Sequence, residues 1–289
     1  MSLDLAVSLA GAAVVVWEDD GADIKAAYRS PQGTWSPVRS LGLGELGAVT
    51  IGRRGLATVG VEDGRLLKLF RGASGRWWAV SAPPVPGRIT SVALDTEHGD
   101  QVVVMWRSRP ERTYLTGRLD RGQWSGIRSL TGPLGATKGE QIVARSDGSA
   151  VFTWVTGGAL TCLSLQSVHQ SGPGRPTRAV ETIGVTGLRR GYCRVLPSIA
   201  SNRGGDAVLT WFGAPGASIY ASYWWRGEET WTDPVVLYTA DAEVFTSFPT
   251  AIALGADGAA LVAWAYDVAE ESGAAPGGLG ARRSSAPGR

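Results

Sequence analysis

Much of the chemistry that proteins borrow from rare side chains is missing here. Of 289 residues, two are cysteine and two are histidine. Cys162 and Cys193 are too few for a disulfide framework and lack the spacing of paired metal ligands, and neither His98 nor His169 adds a second ligand nearby. They read as idle or buried thiols, with a single disulfide as the alternative. No G-x-S-x-G, HExxH, Walker loop or EF-hand occurs, so nucleophilic, metal and phosphate chemistry have no sequence support, and neither cofactor nor metal is expected. "GLGELG" (Gly42 to Gly47) matches G-x-G-x-x-G, but "AVTIG" follows it and reads as a strand, whereas a dinucleotide site needs a helix N-terminus there. The net charge is only +2, which withholds the electrostatic footprint of a nucleic-acid or anionic-membrane binder. Lysine is limited to Lys25, Lys68 and Lys138; with the abundance of Ala and Gly, this points to a GC-rich, bacterial coding genome rather than to a function. No run approaches the ~18 to 20 apolar residues of a membrane span. The opening "MSLDLAVSLAGAAVVVW" carries Asp4 where a signal peptide would be basic, and it reads as two strands around Gly11. The expectation is a soluble chain, cytoplasmic as written and secreted if it is a fragment.

What the chain does have is turns and indoles. Forty glycines and fifteen prolines call for frequent reversals, and twelve tryptophans against five phenylalanines call for a position that repeatedly takes an indole. "VVVWEDD" at Trp17 recurs as "QVVVMWRSR" at Trp106, "SAVFTWVTG" at Trp154, "DAVLTWFGA" at Trp211 and "AALVAWAYD" at Trp264, with "LATVGVEDG" filling the gap at Val61. These copies lie 44 to 57 residues apart, near the roughly 40–50 residue period of propeller blades. Each copy has an alternating strand a ("RITSVALD", "LPSIASN", "FPTAIAL"), a turn, and the tryptophan strand b. Strand c follows ("DIKAAYR", "LLKLFR", "TYLTGRL", "SIYASYW"), then a turn and a tryptophan on strand d ("GTWSPV", "GRWWAV", "GQWSGI", "ETWTDPV"). No segment has the pattern of a capped amphipathic helix.

The fold class is therefore all-β: a six-bladed β-propeller of four-stranded antiparallel blades, the last incomplete. Blades are expected at about 1–42, 47–84, 88–131, 140–183, 195–239 and 248–285, with the propeller domain over 1–268 and a Gly/Ala/Pro/Ser-rich, partly disordered segment over 269–289. Blade four lacks a strand-d tryptophan, which predicts a poorly formed outer strand. In blade six only "GLGARRS" is available as strand c, and no strand d follows. Trp17, Trp106, Trp154, Trp211 and Trp264 are assigned to the core between blades. Arg29, Arg71 and Arg118 each precede a strand-d tryptophan by six residues and are assigned to cation–π or edge packing.

The turns "SPQGTW" (Ser30 to Trp35) and "LDRGQW" (Leu119 to Trp124) resemble the Asp-box hairpin of sialidases, with glycine two rather than three positions before the tryptophan. Sialidases also use three arginines from separate blades; Arg107, Arg109 and Arg112 share one loop and do not match that set. The blade grammar is similar also to bacterial and fungal propeller lectins. That resemblance implies inter-blade pockets in which an indole, an Arg and a Glu hold sugar hydroxyls. Arg226 and Glu228 near Trp224, Trp225 and Trp231 come nearest, and Trp77 with Trp78 next. Strand alternation turns Trp78 and one of Trp224 and Trp225 toward solvent.

On the face of the b–c and d–a loops, Glu18, Asp19, Asp20, Asp23, Glu62, Asp63, Asp267, Glu270 and Glu271 form an acidic sector. Arg107, Arg109, Arg112, Arg189, Arg190 and Arg194, beside Tyr192, form a basic one. The reading is a non-catalytic binding or interaction module for a glycan or a protein, with Trp78, Trp224, Trp225, Arg226, Glu228, Arg107, Arg109, Arg112 and Tyr192 as candidate ligand contacts. One alternative is a sialidase-like glycoside hydrolase, in which Asp19 or Asp20 and Asp267 or Glu270 supply carboxylates roughly 5–9.5 Å apart. Another is a scaffold fragment of a larger protein.

Overall fold

The computed structural model describes residues 2–8, 10–62, 67–80, 82–83, 88–96, 100–109, 113–132, 134, 137–145, 147–157, 163–172, 175, 177–186, 197–202, 204–213, 218–228, 230–239, 244–245, 251–268 and 278–284. Among them every regular element is a strand. Blade one is β1 (Leu3–Val7), β2 (Ala13–Glu18), β3 (Asp23–Arg29) and β4 (Arg39–Leu43); blade two is β5 (Glu45–Ile51), β6 (Ala57–Glu62), β7 (Leu67–Ala73) and β8 (Arg76–Val80). Blade three is β9 (Arg88–Thr96), β10 (Val102–Arg109), β11 (Tyr114–Asp120) and β12 (Gln123–Ser129), and blade four is β13 (Thr137–Ala144), β14 (Ala150–Thr156), β15 (Leu163–Gln170) and β16 (Glu181–Thr186). Blade five is β17 (Ser198–Ser201), β18 (Ala207–Gly213), β19 (Ser218–Trp224) and β20 (Val235–Thr239). In blade six, β21 (Val244–Phe245) and β22 (Ala251–Leu254) pair along one edge of β23 (Ala260–Val268), and β24 (Gly278–Ser284) pairs along the other. "GLGARRS" is thus strand c of blade six, and among the described residues that blade has no strand d.

Blades one to five are antiparallel meanders in chain order, blade six departs from that order where β21 pairs with β23, and a single bridge, Thr186 to Gly213, joins blades four and five into one sheet. The strand following Gly44 is β5, so "GLGELG" opens onto a strand.

The turn between strands a and b is the same structure repeated. In Ser8–Ala12, Gly52–Leu56, Arg145–Ser149, Asn202–Asp206 and Gly255–Ala259 the first residue's N–H donates to the last residue's carbonyl at 2.7 to 3.0 Å. The fourth residue is Gly11, Gly55, Gly148, Gly205 or Gly258, each with positive φ; in blade three Asp100 takes the place at φ 65°. Every one of these residues lies six before the strand-b tryptophan, or before Val61 in blade two. The left-handed conformation there costs a residue with a Cβ about 1–2 kcal/mol, which explains glycine in five of the six copies.

The chain divides into two compact units: Met1–Leu134 with Ala144–Ala150 and Gln170–Thr177, and Gly135–Val143 with Val151–His169 and Arg178–Arg289. In the first unit, one apolar layer joins blades one and two through Val14, Val16, Ile24, Val59 and Val61, and a second joins blades two and three through Leu69, Val104 and Trp106. In the second unit, Trp211 packs with Val151, Leu165 and Ile183 of blade four, and Trp264 packs with Val208 and Phe212 of blade five. Trp106, Trp211 and Trp264 therefore face the preceding blade. Trp106, Trp154, Trp211 and Trp264 are buried, while Trp17 is only partly covered.

One expectation needs correction. The outer strand of blade four is well formed without its own tryptophan. Thr182, Ile183, Val185 and Thr186 favour the extended state, and Gly184 leaves room for the Trp211 ring of the next blade. Arg71 and Arg118 are buried hydrogen-bond donors. Arg71 Nη2 donates to the Asp100 carbonyl at 2.6 Å, and Arg118 Nη2 donates to the Gly148 carbonyl at 2.8 Å. Tyr28 presents its hydroxyl to Gly55 in the same way, since a Cβ there would fall 2.5 Å from it. In the first unit, strand c of one blade thus reaches the left-handed turn residue of the next.

Candidate functional site

The best-defined set of ligand-competent side chains lies on the c–d turn of blade five. Trp225, Arg226, Gly227 and Glu228 reverse the chain after β19; Gly227 has φ +90°, and the Glu228 N–H donates to the Trp225 carbonyl at 3.1 Å. The a–b turn beside it fixes its position. Arg226 N–H donates to Asp206 Oδ1 at 2.9 Å, and Asp206 is held through its own N–H to Asn202 Oδ1 and by Asn202 Nδ2 on its Oδ2, both at 3.0 Å. Asn202 Nδ2 also reaches the Gly255 carbonyl of blade six at 3.1 Å.

This anchoring uses the backbone and leaves the side chains outward. Arg226 and Glu228 are exposed. The Trp225 indole stacks on Tyr223, with centroids 5.2 Å apart and planes 16° apart, and keeps part of its surface accessible. The Tyr223 hydroxyl beneath it is buried without a hydrogen-bond partner. A partly accessible indole, an exposed guanidinium and an exposed carboxylate carried on one turn are the side-chain types that stack on a sugar ring and donate to and accept from its hydroxyls.

Alternation along β19 turns the neighbouring Trp224 inward. It is 1% exposed, with the His169 ring at 4.9 Å and Trp231 edge-on at 5.5 Å, so the structure withdraws it from any ligand. Trp231 is buried too, its Nε1 donating to Ser167 Oγ at 3.1 Å. On β8, Trp77 lies over Gly72, while Trp78 is 47% exposed.

Arg107 ends β10 on the b–c side and is buried rather than displayed. The backbone of Arg109 continues β10, and Arg112 and Tyr192 lie outside the described residues.

The acidic turn of blade one is structural. Asp19 Oδ1 accepts from the N–H groups of Gly21 and Asp23 at 3.1 and 3.0 Å, and Lys25 Nζ stands 3.4 Å from its Oδ2. The Asp23 N–H first, with Gly21 and Lys25 beside it, holds the Asp19 carboxyl below its ordinary value. Lys25, at 2.6 Å, and then Ser40 do the same for Asp23. A general acid needs the opposite shift. Asp20 is exposed on the same turn, Asp267 has its backbone in β23, and Glu270 lies outside the described residues.

Sequence reasoning named Trp225, Arg226 and Glu228 as candidates but not Asn202 and Asp206, which anchor their turn. The signal was present: the turn glycine six residues before each strand-b position locates every a–b turn, and Asp206 directly follows Gly205.

Neither a protein-family model nor a curated protein sequence matches the chain. Solved structures do match. The BP39L lectin of Burkholderia pseudomallei superposes with TM-score 0.60 at 15% identity, over 95% of this chain and 83% of that one. The six-bladed lectin of Aleuria aurantia gives 0.55 at 12% identity, over 96% and 94%. An α-L-arabinanase of Penicillium chrysogenum gives 0.52 at 13%, over 91% and 88%. The chain has the fold of a six-bladed β-propeller, built from blade repeats like those of propeller lectins and sialidases.

Proposed function

We propose that this protein is a carbohydrate-binding propeller module, with a sugar stacked on Trp225 and its hydroxyls held by Arg226 and Glu228. The observation that carries the reading is the Trp225–Glu228 turn. Its backbone is tied to Asp206, and it carries an exposed cation, an exposed carboxylate and a partly accessible indole. Trp78, exposed on an edge strand, is a second stacking surface of the same kind. The similarity to lectins supports the class of ligand and suggests the first probe, since one of these, the Aleuria lectin, was solved with α-methyl-L-fucoside.

The test is a glycan array followed by calorimetry on the best binder. Removing an aromatic anchor costs about 2 kcal/mol or more, so Trp225→Ala should weaken binding about thirtyfold with an unchanged circular dichroism spectrum. An array with no binder, or a Trp225→Ala variant that binds like the parent, overturns the reading. Turnover of aryl glycosides would instead favour the hydrolase.

A further inference from the structure

One position of the repeat is filled differently in blade two. Three residues before the strand-b tryptophan stands Val14, Val103, Val151 or Val208, each wholly buried, and in blade six Leu261; three before Val61 stands Thr58. Threonine has nearly the shape of valine but brings a hydroxyl into the layer. Thr58 is 0% exposed, and its Oγ1 has no hydrogen-bond partner. A hydroxyl withdrawn from water in this way weakens a fold unless something answers it.

Its neighbours show what that is. Thr58 pairs with Thr50 on one side and Arg71 on the other, and Arg71 pairs with Trp78. Side chains directly opposite across a sheet share a face, so these four form a row on the side of blade two that meets blade three. Thr50 Oγ1 is engaged with Thr96 Oγ1 at 2.8 Å, and Arg71 Nη2 with the Asp100 carbonyl at 2.6 Å. Arg71 is only 4% exposed, yet its Nε, like Thr58 Oγ1, is buried without a partner. Blade three treats its own arginine otherwise. Arg118 stands opposite Val103 and donates to both Gln170 Oε1 and the Gly148 carbonyl. Where the arginine has two acceptors its neighbour is valine; where it has one, its neighbour is threonine. Blade two also leaves room beside the pair: Gly60, next on that face of β6, carries no side chain where Val16 and Met105 stand in blades one and three.

We propose that Thr58 and Arg71 hold one buried water molecule in the layer between blades two and three, accepting from Arg71 Nε and sharing a hydrogen bond with the Thr58 hydroxyl. A buried water takes two to four polar partners. Here a guanidinium N–H is fixed in direction, while a hydroxyl can turn to donate or accept. Water suits the place better than an anion, because the carboxylates of Asp100 and Asp120 already act on the Arg71 charge.

The sign of one substitution tests this. Thr58→Val gives blade two the side chain of its neighbours. If the hydroxyl holds a water, urea unfolding of the full chain should show an unfolding constant about fivefold larger than the parent's, the usual net worth of one hydrogen bond. If the hydroxyl is dry, valine removes a liability and the constant falls; a smaller or unchanged constant overturns the proposal. In the parent, a direct rotating-frame Overhauser contact should link a long-lived water to Arg71 Nε–H, and its absence overturns the proposal whether or not the variant folds. Stabilisation by chloride over acetate at equal ionic strength, lost in Thr58→Val, would assign an anion instead and overturn the water.

Discussion

Gly184→Ala is the most direct probe of how the indoles are seated. A Cβ at Gly184 would fall 2.8 Å from Trp211 Cζ2, 3.1 Å from Cε2 and 3.2 Å from Nε1. The ring has no easy retreat: Trp211 is 2% exposed, and Tyr220 stacks on it at 5.7 Å with planes 17° apart. Overpacking of this kind costs about 1–3 kcal/mol. Alanine returns about 0.4–1 kcal/mol by restricting the unfolded chain. With the clash spread along a rigid ring, a net loss of about 1–2 kcal/mol is expected from urea unfolding. Trp211→Phe alone should also destabilise, by leaving a void, but it removes the atoms that Cβ would strike. The double variant should therefore be more stable than the sum of the singles, by about 1 kcal/mol or more. Strict additivity, or a neutral Gly184→Ala, would show that blade five does not seat its tryptophan on blade four.

Other consequences follow from the same contacts. Arg118 is 1% exposed and donates to both Gln170 Oε1 and Gly148 O, at 2.9 and 2.8 Å. Hydrogen bonds from a charged donor contribute roughly 1.5–3 kcal/mol each, so Arg118→Met should lose about 2–4 kcal/mol in urea unfolding after relief of the buried charge. Arg118→Lys should lose less but not nothing, because an ammonium cannot fork to both acceptors; parity of lysine with arginine would refute the two-pronged contact. Lys25→Met should move the carboxyl titrations of Asp19 and Asp23 upward toward ordinary values, read by carbon-13 shifts. Lowered carboxyl values stabilise above the unfolded value and cease to do so as pH falls through the folded one, so the parent alone should lose this support in acid.

The repeat was legible because it is written in residues with strong conformational demands. A β-branched run ending in tryptophan marks strand b, and burial of Trp106, Trp154, Trp211 and Trp264 shows why the position asks for a large ring. Blade four misled for a physical reason. Its outer strand seemed to lack an indole, yet the ring lying over it belongs to the next blade, and a contact between repeats leaves no local trace except Gly184. The hydrogen bonds of Arg71 and Arg118 were hidden for the same reason: their spacing to strand d is visible in sequence, but their carbonyl acceptors lie one blade further along.

The site was legible only to the extent that parity rules apply. Two adjacent tryptophans on a strand must face opposite ways, so one of Trp224 and Trp225 had to be available, and which one depends on the register of β19 against β18. Tyr223 pairs with Val208 in that register, on the face shared with blade six. Trp225, two residues on, follows it to the same side, and Trp224 goes to blade four. A one-residue slip would have exchanged their roles. What selects the register is the pairing of a buried Val208 with a buried Tyr223, so the side chain offered to a ligand is chosen by core packing two residues away. The charges beside it carry no such constraint. The turn that carries Arg226 and Glu228 is positioned through its backbone.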